Sequence, residues 1–415
     1  MSTPSEQDVA ACIGKVQSTQ PTLGALKILA IIKEDHPDWA LSEKRFKKIL
    51  SAQSSERTTL VARTGIDPSI DVASIAPKVE VKLFGKGKGK GLVARTKILK
   101  GEVLWQEEPW IATADQQLDA PLANKAMCTT CLTLFLEPSP PLSKPCPSCD
   151  SAHFCNRLCL GRAKEAAAHH DLLCPGANPS CWPLLKYIRD NGARHLAAVA
   201  RIIALWRGAK ASGDVKEATR IEKRVWTGMA RINQLDKEKE RREWSMVAET
   251  RLAELHHTHQ LLLQALHPSS PDARFQKLIR KTTISEAEVD RWFSFDSYLE
   301  LLGLAGINQE SSGGLYALHA HLNHSCEPNL QVRNLPKTFK APSPDQLPCD
   351  LPPPNPAGVR GTNRLTILAR RDIEAGEELC IPYVNFSLPR AERRQDLREA
   401  YGFWCQCPKC VREDV

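Results

Sequence analysis

Apolar residues near the start of the chain recur at helical spacing, at Leu23, Leu26, Ile28, Leu29 and Ile32. The break at Asp35-His36-Pro37-Asp38 interrupts them, and Leu41, Phe46 and Leu50 restart the pattern. Two short helices are therefore predicted over 21–55, with 51–76 reading as a linker. A basic helical pair of this kind fits a packing or partner-binding element better than a DNA-binding unit. From Val79 the text turns strand-like, in VEVKLF, GLVARTKI and EVLWQEE. Residues 182–265 return to helical periodicity, with LLKYI, LAAVARIIALW and AELHHTHQLLLQAL separated by charged residues. Strand patterns resume at LQVRN, RLTILARR and EELCIPYV, and the proline-rich stretch KAPSPDQLPCDLPPPNPAG between two of them is too rich in proline for regular structure. β-elements at 79–110 and 315–386 thus flank cysteines and helices. One β-fold split by two insertions is the simplest account, an α+β chain.

A length of 415 residues allows two or three domains. Hydrophobic residues at 42% and charged residues at 25% are ordinary for a globular protein. No run of eighteen apolar residues occurs, and the N-terminus MSTPSEQDVA has no secretory pattern, so an intracellular protein with no membrane span is expected. The net charge of +8 is mild and equally compatible with acidic partners and with ordinary surface charge.

The 15 cysteines change the picture more. In a reducing compartment they are poor candidates for disulfides, and most fall in tight pairs. Cys128-x2-Cys131, Cys146-x2-Cys149, Cys155-x3-Cys159 and His170-x3-Cys174 supply eight ligands, enough for two tetrahedral zinc sites. A loop-rich segment so poor in core residues needs a metal to fold, since zinc contributes on the order of 10 kcal/mol or more. Cys405, Cys407 and Cys410 form a later cluster lacking a fourth ligand, for which Cys326 is the best candidate. Twelve ligands then make three zinc sites, leaving Cys12, Cys181, Cys349 and Cys380 as ordinary thiols.

These residues resemble the motifs of a known family. Asn323-His324-Ser325-Cys326-Glu327-Pro328-Asn329 resembles the first signature of SET-domain lysine methyltransferases, and Gly376-Glu377-Glu378-Leu379-Cys380-Ile381-Pro382-Tyr383 the second. Phe403-Trp404-Cys405-Gln406-Cys407-Pro408-Lys409-Cys410 is similar to the post-SET zinc motif, and Lys88-Gly89-Lys90-Gly91-Leu92 to the glycine-rich cofactor loop. The cysteines at 128–174 resemble a MYND finger, and the whole resemblance spans 79–412. The helical N-terminus is similar to the fungal SET-and-MYND branch. The resemblance implies a SET β-fold of small curved sheets with a pseudo-knot. Its parts are an N-terminal helical segment and linker at 1–76, SET portions at 79–112 and 315–386, a MYND-type finger at 126–176, a helical insertion at 177–300 and a post-SET zinc lid at 390–412. Three departures stand out: the gaps Cys131–Cys146 and Cys159–His170 are long, His169 is a rival to His170, and Pro382 precedes the tyrosine where serine is common.

The implied activity is methyl transfer from S-adenosylmethionine to a protein lysine. Such an in-line displacement depends on positioning and on presenting an uncharged amine. The resemblance makes Tyr383 catalytic and assigns the cofactor to Lys88, Gly89, Lys90, Asn323, His324, Tyr383 and Phe403. It implies a protein substrate, with a histone tail and histone H4 favoured, in the nucleus on chromatin and secondarily in the cytoplasm. A proline-rich peptide is the partner implied at the finger. A non-enzymatic adaptor is the rival reading, opposed by the retention of Tyr383, Asn323 and His324. A zinc-dependent nucleic-acid binder ranks last, because Lys144, Arg157, Arg162 and Lys164 are interspersed with Glu137, Asp150, Glu165 and Asp171.

Overall fold

The computed structural model describes residues 3–19, 25–56, 60, 62–85, 88–114, 116–135, 141–241, 243–280, 282–310, 314–336, 339–347 and 362–413. The expectations for Leu23, Cys349 and most of the proline-rich stretch lie outside these residues. The chain forms two compact units, Met1–Val61 and Ala62–Val415.

The first unit holds α1 (Glu6–Thr19), α2 (Ala25–Asp35) and α3 (Glu43–Glu56). The latter two match the predicted pair, whereas α1 was not anticipated. Its Val9, Ile13 and Val16 follow helical spacing, and they close a core with Ile28, Ile32, Leu41, Phe46 and Ile49. Leu26, counted in the apolar stripe of α2, is instead 60% exposed.

In the second unit the strands are β1 (Val79–Phe84), β2 (Gly89–Ala94), β3 (Val103–Glu107), β4 (Asn323–His324), β5 (Leu330–Asn334), β6 (Leu365–Ala369) and β7 (Glu378–Ile381). One small sheet has the order β1-β2-β7-β4 and another β5-β6-β3. β7 pairs antiparallel with β2 but parallel with β4, so Cys380 faces Asn323 and Ile381 faces His324. Strands from the two ends of the sequence therefore close one sheet, as the split β-fold requires. Leu92, Ala94, Trp105, Leu330, Ile367, Leu379 and Ile381 bury their side chains in a common core.

The helices are α4 (Arg157–Glu165), α5 (Trp182–Asp190), α6 (Arg194–Ser212), α7 (Val215–Lys223), α8 (Gln234–Lys239), α9 (Trp244–Leu266), α10 (Glu286–Phe293), α11 (Phe295–Asn308) and α12 (Arg390–Tyr401). The helical insertion thus runs to Asn308, past its expected end. Its core is separate from that of the sheets. Trp206 stacks on Trp292 with centroids 4.7 Å apart, among Ile202, Ile203, Leu262, Leu301 and Leu304. Asp67, 3% exposed, accepts from Arg224 Nε at 2.7 Å and ties the start of this unit to the helical layer. Among the described residues no helix is long and apolar enough to cross a membrane.

Candidate active site

The parallel β4–β7 pairing places the two sequence signatures side by side, and polar side chains lock them. Asn329 donates to the Glu378 carbonyl at 2.8 Å and accepts from the Cys380 N–H at 2.8 Å, holding the loop after β4 against β7. Glu107 on β3 accepts from the N–H groups of Leu318 (2.8 Å) and His319 (3.0 Å), fixing the turn that leads into β4. Asn323 then donates through Nδ2 to the Lys90 carbonyl at 2.9 Å and to Glu378 Oε1 at 3.0 Å. The other Glu378 oxygen pairs with Lys88. The glycine-rich strand β2 must be bare here. A Cβ on Gly91 would stand 2.7 Å from Asn323 Nδ2 and 2.5 Å from the Phe84 ring.

Lys90 departs from the expectation that it binds a cofactor. Its ammonium group turns away, is 4% exposed and donates to the Gly228 carbonyl of the helical insertion. Burial pushes it down to about 7, against the pull of Asp67. Only its backbone belongs to the site.

Tyr383 follows β7 directly. Its N–H donates to His324 Nδ1 at 2.9 Å and its phenol donates to the Leu322 carbonyl. The ring packs beside Tyr401 at 4.6 Å and His324 at 5.4 Å, while Phe403 lies 6.3 Å from His324. Burial, assisted by the Tyr401 phenol, raises the Tyr383 pKa and keeps the hydroxyl protonated. Burial also pushes Tyr401 up to about 12 and, with the Arg393 charge, His324 down to about 4. His324 is accordingly a neutral imidazole able to accept from the Tyr383 N–H. Pro382, flagged as unusual, lies just past the end of β7, where no ladder hydrogen bond is lost.

The cysteine clusters form three groups whose ligand atoms all lie within 4.8 Å of one another. Cys326 joins Cys405, Cys407 and Cys410, with Cys326 and Cys410 sulfurs 3.6 Å apart. In the finger the pairs interleave. Cys128, Cys131, Cys155 and Cys159 form one tetrad, and Cys146, Cys149 and Cys174 join a histidine in the other. A tetrahedral zinc with Zn–S of about 2.3 Å separates its sulfurs by about 3.8 Å, so spacings of 3.4–3.9 Å fit the ion. The histidine is His169, which corrects the choice of His170. Its Nε2 is 3.3 Å from Cys149 Sγ. Ala167 adopts φ 48° after α4, and this reversal turns His169 toward the tetrad. His170 faces away: its Nδ1 accepts from the Leu172 N–H at 3.2 Å, and its ring crowds Gly208 of α6.

Against models of known families, residues 206–384 match the SET domain. The matched stretch takes in both sequence signatures and Tyr383. It is 28% identical over 389 residues to Histone-lysine N-methyltransferase SET5 of Mycosarcoma maydis, covering 87% of this chain and 72% of that protein. Over 411 residues it is 25% identical to Protein-lysine N-trimethyltransferase SMYD5 of Homo sapiens, covering 81% and 87%. The solved crystal structure of the SET domain of LSMT bound to Lysine and AdoHcy aligns at TM-score 0.34 and 13% identity. That alignment spans 79% of this chain and about half, 53%, of the solved one.

The α+β architecture of small sheets and helices is the SET fold, and three residues that support the site were given no role by the motif reading. Tyr401 packs at a tilt against Tyr383, Glu378 bridges Lys88 and Asn323, and the buried Arg393 donates from Nε to Cys326 Sγ at 3.3 Å. Glu378 lay within the quoted signature. Arg393 and Tyr401 lie on α12, in a stretch carrying no motif of its own, and only its docking shows what they touch.

Proposed function

We propose that this SET-domain chain is a protein lysine N-methyltransferase that uses S-adenosylmethionine, with a histone tail, histone H4 first, as substrate. The observation that carries the reading is the meeting of Tyr383, His324 and Asn323 beside a cysteine tetrad that draws one ligand from the first signature and three from the segment after α12. The names of the fungal and human relatives support it.

When bound, S-adenosylmethionine supplies an electrophilic methyl group. The Asn323 amide, the His324 ring and the Phe403 face fit a ligand carrying both polar groups and an aromatic base. Lys88 would hold its place through Glu378. The Tyr383 hydroxyl, protonated and aimed by the Leu322 carbonyl, would orient the incoming amine. Tyr383 and Tyr401 together make an aromatic surface that excludes water and favours the neutral amine. Zinc in the Cys326 tetrad would tie the segment after α12 to the Asn323–His324 strand. The exposed Leu158 and Leu142 of the finger support the accompanying proposal of a proline-rich partner there.

The test is transfer of labelled methyl from S-adenosylmethionine to histone octamers, isolated H4 and a cell extract. Label on a lysine of H4, formed roughly 10–1000-fold more slowly with Tyr383→Phe, is the expected result. Label confined to non-histone proteins overturns the histone assignment, and no label at all overturns the enzyme.

A further inference from the structure

Behind Tyr401 lies a cleft of about 630 Å³ walled by α6, α8, α9 and α12. Its floor is built around Gly306 of α11. An ideal Cβ there would lie 2.9 Å from Lys237 Nζ, 3.6 Å from Gln234 Oε1 and 3.7 Å from His195 Cε1, so three polar side chains converge on one bare position. Lys237 is 4% and Gln234 6% exposed. Gln234 Oε1 is buried without a hydrogen-bond partner, and the Lys237 side chain lines the cleft beside it. Burial disfavours the Lys237 charge, and a ligand carrying negative charge would offset that penalty.

The neighbouring charges sharpen the chemistry. Glu238 is already saturated: it accepts from Arg251 Nε and Nη2, both at 2.8 Å, and from Gln234 Nε2 at 2.6 Å. Its charge favours the Lys237 ammonium, yet burial and the neighbouring Arg241 outweigh it and push Lys237 down to about 8. Arg241, at the exposed rim, makes no ion pair among the described residues. The wall at the other side is Tyr401, whose ring lies 4.6 Å from that of Tyr383 at a tilt of 33°. One aromatic ring thus separates the cationic floor from the candidate transfer site.

We propose that this cleft recognises an anionic side chain, a carboxylate or a phosphate, carried by the substrate protein near its target lysine. The inference rests on the methyltransferase reading and adds a substrate class to it: lysines flanked by acid. A basic histone tail would meet this requirement only through an acidic surface of the histone core or a phosphorylated residue.

The test uses the full chain and peptides holding a single lysine, with alanine, aspartate or phosphoserine scanned through the flanking positions. Methylation rates and binding by fluorescence polarisation are measured on the same set. A charge-assisted hydrogen bond to a buried cation predicts a preference of about 10-fold or more for an acid at one or two positions, expressed in KM rather than kcat. Lys237→Met should abolish that ratio. Arg241→Glu, at the exposed rim where folding is safe, should reduce it. Aspartate and phosphoserine arms separate the two sources of charge. Equal binding of acidic and alanine peptides by the parent, or a preference that survives both variants, overturns the cleft. Polarisation scores the cleft even when no methyl is transferred, an outcome that would overturn the enzymatic reading instead.

Discussion

At Tyr383 a single oxygen separates two roles. Its phenol donates to the Leu322 carbonyl, and Tyr383→Phe removes that bond while leaving the ring against Tyr401 and His324. A structural hydroxyl would cost about 1 kcal/mol and leave turnover unchanged. A hydroxyl that orients the amine predicts a fall in kcat of roughly 10–1000-fold, with melting temperature and cofactor affinity retained. Measuring all three on one preparation decides between them. The adjacent histidines offer a second contrast. His169→Ala should lower zinc content by one ion per chain, because His169 completes the second finger tetrad. His170→Ala should leave zinc content unchanged while destabilising the turn at 171–173 that its ring caps. Elemental analysis of both variants reads the difference, and loss of zinc only from His170→Ala would restore the choice made from spacing.

Among the elements, the segment after α12 meets Cys326 at one cysteine tetrad, where a lid over the cofactor is expected to be anchored. Arg393 reinforces it with contacts to Cys326, Cys410 and the Glu413 carboxylate. Cys407→Ser should therefore weaken S-adenosylmethionine binding more than it lowers the melting temperature. Parallel loss of both in calorimetry would mean that the lid is not a separate unit. This is also the scale at which the sequence stopped being readable. Asn323, His324, Cys326 and Tyr383 lie in short local motifs whose chemistry survives in one dimension. Tyr401 and Arg393 acquire their roles only where α12 docks, and Lys90 loses its role because the alternation of β2 sends its side chain toward Gly228. His169 and His170 occupy consecutive positions, so a backbone dihedral at Ala167 rather than ligand spacing selects between them. The helix α1 was legible in principle from Val9, Ile13 and Val16, but these are few apolar positions in a polar segment.

For the molecule as a whole, the second unit depends on charges as well as cores. Arg224 and Asp67 are 6% and 3% exposed, and their pairing joins the segment before β1 to the helical layer. Burial alone would raise the Asp67 pKa, yet hydrogen bonds from Arg224 and Ser69 outweigh it and hold the carboxyl below its ordinary value. The associated stability is present above the unfolded-state pKa of about 3.9 and is lost as pH falls through the lower folded value. Asp67→Asn should cost about 3 kcal/mol at pH 7 by leaving Arg224 buried without its charge. Its urea midpoint should then fall less steeply than the parent's below pH 4, and equal steepness would remove Asp67 from the account.

The Cys326 tetrad also governs the order in which the molecule can be made. Its first ligand leaves the ribosome about eighty residues before the other three, and a chain loop of that length closes against an entropic cost of (3/2)RT ln n plus a constant. The finger, whose eight ligands span residues 128–174, can fill while synthesis continues. The lid waits for Cys410. A chain stopped between residues 174 and 405 therefore contains all eight finger ligands but only one of the four in the Cys326 tetrad.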